Sequence, residues 1–146
     1  YTVAYTNHAV PDVLRSENVK GSGFFGASLC LRSFNIDYGN QVEYRDLIGC
    51  SQRVDIVDVQ SSGYVLVEAS SISTFDPFTN ALSDTTSGTF GLLHGTTAGN
   101  RCAIVAPRCD IGQPTYEQDQ GIMHWNLPFG VLPSATGNDD LYLVLS

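Results

Sequence analysis

The sequence predicts an all-β protein, an antiparallel β-sandwich of the jelly-roll or immunoglobulin-like type with about nine or ten strands. Short runs rich in Val, Ile, Tyr and Thr recur about every ten residues, and polar clusters containing Gly, Ser, Asn or Asp separate them. Within the runs, apolar and polar side chains tend to alternate, which is the period of a half-buried strand. No long segment with helical periodicity interrupts this pattern.

The candidate strands share this alternation and their β-branched or aromatic content. In chain order they are 1–10, 24–34, 42–48, 54–60, 64–70, 89–94, 101–106, 122–125, 129–132 and 141–145. The turn Asp-Tyr-Gly-Asn at 37–40 ends the second run, and the flexible segment 95–100 separates two later ones. The polar segments 75–87 and 110–120 are predicted to be loops.

One pair of strands carries a hairpin signal. The runs 54–60 and 64–70 are separated only by Ser61-Ser62-Gly63, so we expect them to pair with each other. No linker or internal repeat divides the chain, and its 146 residues suit one sandwich domain spanning 1–146.

Composition restricts the partners of the protein. Its net charge is −8 and Lys20 is its only lysine, so the surface should repel the phosphates of nucleic acid. No stretch approaches the ~18 apolar residues of a membrane-spanning helix, so no membrane insertion is expected. The chain opens at Tyr1 and not at Met, as a processed mature end does, which favours a secreted or cell-surface location.

Four cysteines, an even number in a small β domain, favour disulfides formed in an oxidising compartment. Three pairings are possible. We expect Cys30 to pair with Cys50 and Cys102 with Cys109, because each of these bridges closes a short loop. Free thiols are the alternative.

The sequence contains no catalytic motif. It has neither the Gly-x-Ser-x-Gly nucleophile turn nor the His-Glu-x-x-His helix, and its histidines, His8, His94 and His124, lie far apart in the chain. We therefore expect a protein that is not an enzyme, with a small secreted hydrolase as the enzymatic alternative.

Two groups of residues are candidates for ligand binding. Tyr and Trp offer an apolar ring face and a polar edge, which suits sugar rings, and the candidates are Tyr116, Trp125 and Tyr142. Trp125 has a core position as its alternative. The oxygen-rich turn Asn138, Asp139 and Asp140 is a weak candidate for a Ca²⁺ site, although no cofactor is required.

These observations predict a structural subunit of an extracellular assembly, such as a filament, a pilus-like fibre or a surface layer, formed by strand contacts between copies. The terminal runs are uncharged and strongly β-forming, as exposed edges that recruit a partner are. Their candidate assembly residues are Tyr1, Val3, Tyr5, Leu141, Leu143 and Leu145. The alternatives are a secreted carbohydrate-binding, lectin-like module that binds Ca²⁺ or not, and a virion coat or tail component.

Overall fold

The computed structural model describes residues 14–15, 17–50, 52–83, 87–135, 137 and 139–146. The described residues form ten strands and one short helix. In chain order these are β1 (Val19–Phe24), β2 (Leu31–Asp37), β3 (Asn40–Arg45), β4 (Arg53–Val59), β5 (Ser62–Glu68), α1 (Pro77–Ala81), β6 (Gly88–His94), β7 (Cys102–Ile111), β8 (Thr115–Asp119), β9 (Ile122–Val131) and β10 (Tyr142–Leu145).

Eight strands form one antiparallel sheet in the order β1-β6-β7-β9-β5-β2, with β10 added to β7 and β8 added to β9. The remaining two, β3 and β4, pair only with each other among the described strands. The prediction of an all-β, antiparallel class is confirmed. No described helix is long and apolar enough to cross a membrane.

The two longest strands change partners along their length. The first part of β7 pairs with β10, and its end, Cys109–Ile111, pairs with the last residues of β9. The first part of β9 pairs with β8. We call the strands on one side of this junction (β1, β6, β7 and β10) the first layer and those on the other side (β2, β5, β8 and β9) the second layer; the two meet where the ends of β7 and β9 pair.

Aromatic side chains pack the two layers against each other. Phe129 of β9 lies with its ring centroid 5.6 Å from Phe24 of β1 and 5.8 Å from Phe90 of β6, although Phe24 and Phe129 lie on strands that are not neighbours in the sheet. Phe34 of β2 reaches Phe90 at 5.7 Å. Burying each of these rings stabilises the fold by roughly 1.5–3 kcal/mol, which makes this cluster the main contact between the layers.

The alternation of β9 explains why it lies at the centre. Trp125, Leu127, Phe129 and Val131 are all buried, and the residues between them point to the opposite face. A strand with one continuous apolar face is stable only where another layer covers that face.

The segment 75–87, predicted to be a loop, contains the helix α1. Asp76 begins it, because its side-chain oxygen accepts hydrogen bonds from the backbone N–H groups of Phe78 and Thr79. Pro77 takes the first turn, where its missing N–H leaves no donor unpaired. Five residues of helix at the end of a polar segment carry too little periodicity to be recognised in the sequence.

The predicted hairpin of 54–60 with 64–70 is wrong. β4 pairs with β3, whereas β5 pairs with β2 and β9 in the large sheet. β4 and β5 do not pair because they lie in different environments. Val65 and Val67 of β5 are buried in the core, whereas no residue of β4 is buried.

The predicted disulfides are also wrong, since all four cysteines are free thiols. Cys102 and Cys109 lie on the one strand β7, where seven residues at about 3.3 Å each separate them by roughly 23 Å. A bridge requires Cα atoms within about 7 Å. Cys50 lies in the connection between β3 and β4, outside the large sheet, and neither it nor the exposed Cys30 is paired.

Candidate functional site

The most exposed element of the described structure is the hairpin of β3 and β4, which we call the arm. Every residue of β3 is exposed, and only one residue of β4 is even partly buried. No other described strand pairs with the edges of the arm, and both of its faces carry exposed residues. An isolated two-stranded ribbon of this kind is only marginally stable in water unless another surface packs against it.

One face of the arm is apolar over its central part. Val42 lies opposite Ile56 and Tyr44 lies opposite Val54 in the strand register, so these four side chains share one side of the ribbon. Each is 58–64% exposed. Four adjacent large apolar groups in contact with solvent form a patch of the kind that marks an interaction surface.

The opposite face of the arm is charged and largely self-compensating. Glu43, Arg45, Arg53 and Asp55 share it. The Asp55 carboxylate lies 2.9 Å from Arg53 Nε and 3.9 Å from Arg45 Nη1. Exposed ion pairs such as these contribute little to stability, but they keep this face soluble and close to neutral. The arm is therefore amphipathic, with one face suited to water and the other to a partner.

The arm is held at its base by short-range contacts. Gly39 has a φ of +61°, and its N–H donates to Asp37 Oδ1. Gln60 N donates to the Gly39 carbonyl at 3.3 Å, and Ser61 Oγ lies 3.2 Å from the Tyr38 carbonyl, one of the two acceptors within reach of its single proton. These contacts close the two ends of the hairpin where it joins β2 and β5.

A second apolar surface lies on β10. Tyr142, Leu143, Val144 and Leu145 are all exposed, with Leu143 and Leu145 on one face at 63% and 72%. Among the described strands, β10 pairs only with β7, so its other edge has free backbone donors and acceptors.

The other predicted assembly residues have different positions. Leu141 precedes β10 and packs, partly buried, against the core. Tyr1, Val3 and Tyr5 lie outside the described residues.

The three aromatic candidates for sugar binding do not form one site. Trp125 is 2% exposed in the core, beside Phe75, which is the alternative position that the sequence analysis gave for it. Tyr116 is exposed on β8, with its ring 5.6 Å from that of Phe78, whereas Tyr142 is exposed on β10 in the other layer.

The carboxylates of the predicted calcium turn are engaged in hydrogen bonds within the protein. Asp139 Oδ1 accepts a hydrogen bond from Ser134 N at 2.7 Å, and the hydrogen bonds to Ser134 lower the pKa of Asp139. Asp140 is buried and accepts hydrogen bonds from Ser61 Oγ and Tyr38 Oη. Asn138 lies outside the described residues, among which no group of three His, Cys, Asp or Glu side chains is arranged to hold a metal. Calcium binding stays a prediction from sequence.

The histidines occupy separate strands. His94 ends β6, and His124, near the start of β9, is buried with Nδ1 3.1 Å from the Ile122 carbonyl. His8 lies outside the described residues. The absence of catalytic function stays a prediction.

The sequence analysis did not predict the arm, although the sequence contains a pattern that indicates it. In both 42–45 and 53–56, apolar and charged residues alternate strictly. Pairing these two runs with each other places all four apolar side chains on one face, but the hairpin assigned to 54–70 paired the second run elsewhere.

No protein-family model matches the chain, and no curated protein sequence is similar to it.

Proposed function

We propose that this protein is a non-enzymatic structural subunit that assembles with copies of itself, through strand contacts, into an extracellular fibre or layer. The fold that serves this role is an antiparallel β-sandwich made of the two layers described above. The observation that carries the proposal is the uncovered apolar face of the arm, formed by Val42, Tyr44, Val54 and Ile56.

The structure of the arm favours assembly because two paired strands alone are only marginally stable. A two-stranded ribbon gains independent stability from a third strand or from packing against another surface. The arm has no such support among the described residues. A partner that covers its apolar face would supply that support, at roughly 25 cal/mol for each Å² of apolar surface removed from water.

The partner we propose is a second copy of this chain, which would contact the arm with its β10 strand. β10 presents four exposed apolar side chains and an edge that no other described strand pairs with, so it complements the arm in chemistry and offers backbone donors and acceptors to a partner strand. Both surfaces are uncharged where they would meet, although the chain as a whole carries −8.

The distribution of charge favours contact between the arm and β10 over contact between other surfaces. Copies that each carry −8 repel one another wherever acidic surfaces approach. The strands of the arm carry two arginines against three carboxylates, and β10 carries no charge at all. Contact at the arm and β10 therefore brings two acidic molecules together where the repulsion between them is lowest.

The contact between arm and β10 joins two different surfaces of the same molecule. Such a head-to-tail contact leaves one free arm and one free β10 after each addition, and it builds an open fibre unless the rotation closes a ring. A contact of arm with arm would instead stop at a dimer. An extracellular setting for the fibre is part of the proposal, but the cysteines do not support it, since they are unpaired.

The experiment is sedimentation velocity and negative-stain microscopy of the chain over a range of concentrations. We expect concentration-dependent polymers that lengthen as added salt screens the acidic repulsion. Ile56→Lys on the arm and Leu143→Lys on β10 should each abolish polymers. The matched control is Ile122→Lys, which places the same charge at an exposed position away from both surfaces and should polymerise normally.

Mixing the two defective variants tests the head-to-tail arrangement. Each variant retains one intact surface, so the mixture should form dimers and nothing longer. Dimers formed by Leu143→Lys alone would show an arm-to-arm contact and refute the arrangement. If the unmodified chain stays monomeric at high concentration and high salt, the proposed function is wrong.

A further inference from the structure

A polar groove lies on the outward face of the second layer, separate from the arm and from β10. Its volume is about 420 Å³, within the range of small-ligand sites. Its lining consists of short polar side chains around one tyrosine and one proline: Asn35, Asp37, Ser62, Gly63, Tyr64, Gln113, Thr115, Asn126 and Pro128. None of these residues was a sequence candidate for sugar binding.

The strand register brings the two ring-bearing residues together. Tyr64 of β5 lies directly opposite Pro128 of β9, and on its other side it lies opposite Asn35 of β2. Side chains opposite each other in a sheet share a face, so a row of amide, aromatic ring and proline ring crosses the layer. Tyr64 is 39% exposed, which leaves part of its ring available to a ligand.

Glycine at position 63 allows β5 to lie close to β2 beside the groove. A Cβ at Gly63 would collide with the Asn35 carbonyl and would come within 2.8 Å of the Phe129 ring. The backbone of β5 therefore approaches β2 and the core closely at this point.

The polar side chains around Tyr64 are mostly not engaged within the protein. Asn126 Nδ2 makes a long contact of 3.4 Å with Glu117, and Asp37 Oδ1 accepts from Gly39 N. No side-chain hydrogen bond within the described residues occupies Asn35, Gln113 or Thr115. The amide groups each offer a donor and an acceptor, and the threonine hydroxyl offers both.

The charge of the groove narrows the class of ligand. Asp37 is its one charged residue, and its lining contains no arginine or lysine. Phosphorylated, sulfated or carboxylated ligands would therefore meet a carboxylate and no compensating cation. A neutral ligand with many hydroxyl groups and an apolar ring face matches both the amide side chains and the exposed tyrosine.

We infer that this groove binds a neutral oligosaccharide, with one sugar ring stacked on Tyr64 beside Pro128. Its hydroxyl groups exchange hydrogen bonds with Asn35, Gln113 and Thr115. The inference does not depend on self-assembly, because the groove contains no residue of the arm or of β10. It places sugar binding at different residues from Tyr116, Trp125 and Tyr142.

The test is NMR titration of the full chain with neutral glucose-, mannose-, galactose- and N-acetylglucosamine-based oligosaccharides at millimolar concentrations. We expect at least one of them to shift the backbone signals of β2, β5 and β9. Tyr64→Ala should weaken that binding at least about tenfold, equivalent to 1.4 kcal/mol, whereas Tyr64→Phe should retain it because the ring remains.

Tyr116→Ala is the matched control, since Tyr116 is an exposed tyrosine of the same layer that does not line the groove. It should bind as the unmodified chain does. Circular dichroism and thermal unfolding establish that each variant is folded. Failure of every oligosaccharide to bind, or equal losses in Tyr64→Ala and Tyr116→Ala, would overturn the inference.

The binding test is independent of the assembly test. The arm variant Ile56→Lys, expected to be monomeric, should bind the oligosaccharide as tightly as the unmodified chain. If assembly fails and sugar binding persists, only the proposed function is wrong. If assembly occurs and no sugar binds, only the groove inference is wrong.

Discussion

Ser61 and Asp140, 79 positions apart in the chain, share a buried hydrogen bond in which Ser61 Oγ donates to Asp140 Oδ2 at 3.2 Å. Ser61 lies between β4 and β5, and Asp140 lies just before β10. Tyr38 lies between β2 and β3, where the chain enters the arm, and its hydroxyl donates to Asp140 Oδ1 at 3.4 Å. The negative charge of the Asp140 carboxylate raises the pKa of the Tyr38 hydroxyl. One carboxylate thus connects the base of the arm with the start of β10.

This connection predicts that Asp140→Ala destabilises the fold. The substitution removes the carboxylate that accepts from the Tyr38 hydroxyl and one of the two acceptors within reach of the buried Ser61 proton, and the loss of hydrogen bonds to a charged acceptor costs about 1–3 kcal/mol. Urea unfolding should show a lower midpoint. Asp110→Ala, which removes an exposed carboxylate on β7, should change the free energy of unfolding by less than about 0.5 kcal/mol. Equal effects of the two substitutions would contradict the structural role of Asp140.

Gly39 at the base of the arm should not tolerate a side chain. Its φ is +61°, and a Cβ there would collide with the backbone carbonyl of Gln60. Gly49 has a φ of +85° but has open space around its Cβ position. Gly49→Ala should therefore cost only the backbone strain of about 1–2 kcal/mol, and Gly39→Ala distinctly more. Thermal unfolding of the two variants measures the difference, and a milder effect at Gly39 would refute the steric argument.

The four thiols should react in the order of their exposure. N-ethylmaleimide should label Cys30 and Cys50 first, since both are exposed, then Cys102, and Cys109 only on unfolding. Burial raises the pKa of Cys109 to about 11, so almost none of it is thiolate at neutral pH. Peptide mass spectrometry follows each site. A mass deficit of two hydrogens for each bridge in the unlabelled chain would show that disulfides form after all.

Asp76 should give α1 a pH-dependent stability. Hydrogen bonds from Thr79, chiefly from its hydroxyl at 2.6 Å, lower the pKa of this carboxyl group. Because the pKa is lower in the folded state, its stabilising contribution is complete above about pH 4 and is lost as the pH falls through the folded value.

The measurement is thermal unfolding of the unmodified chain and of Asp76→Ala at several pH values. The chain with Asp76 should be more stable at neutral pH, and its advantage should shrink in acid. Asp76→Asn retains a side chain that can cap the helix but cannot titrate, so its difference from Asp76→Ala should stay constant. An advantage of Asp76 that persists at the lowest pH would show that its ionised form plays no part.

Much of the strand content was predictable from local pattern. The apolar run at 64–70 covers most of β5, and the uncharged run at 141–145 contains β10, because alternating β-branched and aliphatic residues favour extended backbone wherever they lie. The class of the fold follows from such runs and the turns between them. The boundaries were less accurate, as in 24–34, where a turn separates β1 from β2.

The site residues were harder to predict because an aromatic side chain on a strand can lie either in the core or at the surface. Trp125 and Tyr64 are both aromatic residues on strands, yet Trp125 points into the core and Tyr64 into an open groove. The direction depends on strand register, since a shift of one residue moves every side chain to the other face. Nothing local to either residue reveals that register.

Sequence alone therefore determined the extended backbone, the turns and the acidic surface, because propensity, glycine placement and charge act over a few residues. Tertiary structure decided which strands became neighbours. It separated Cys102 from Cys109 along one strand, paired β4 with β3, and placed Asn35 and Pro128 on either side of Tyr64. Those outcomes depend on which apolar faces find cover in a shared core, a competition among distant segments that no single run of residues records.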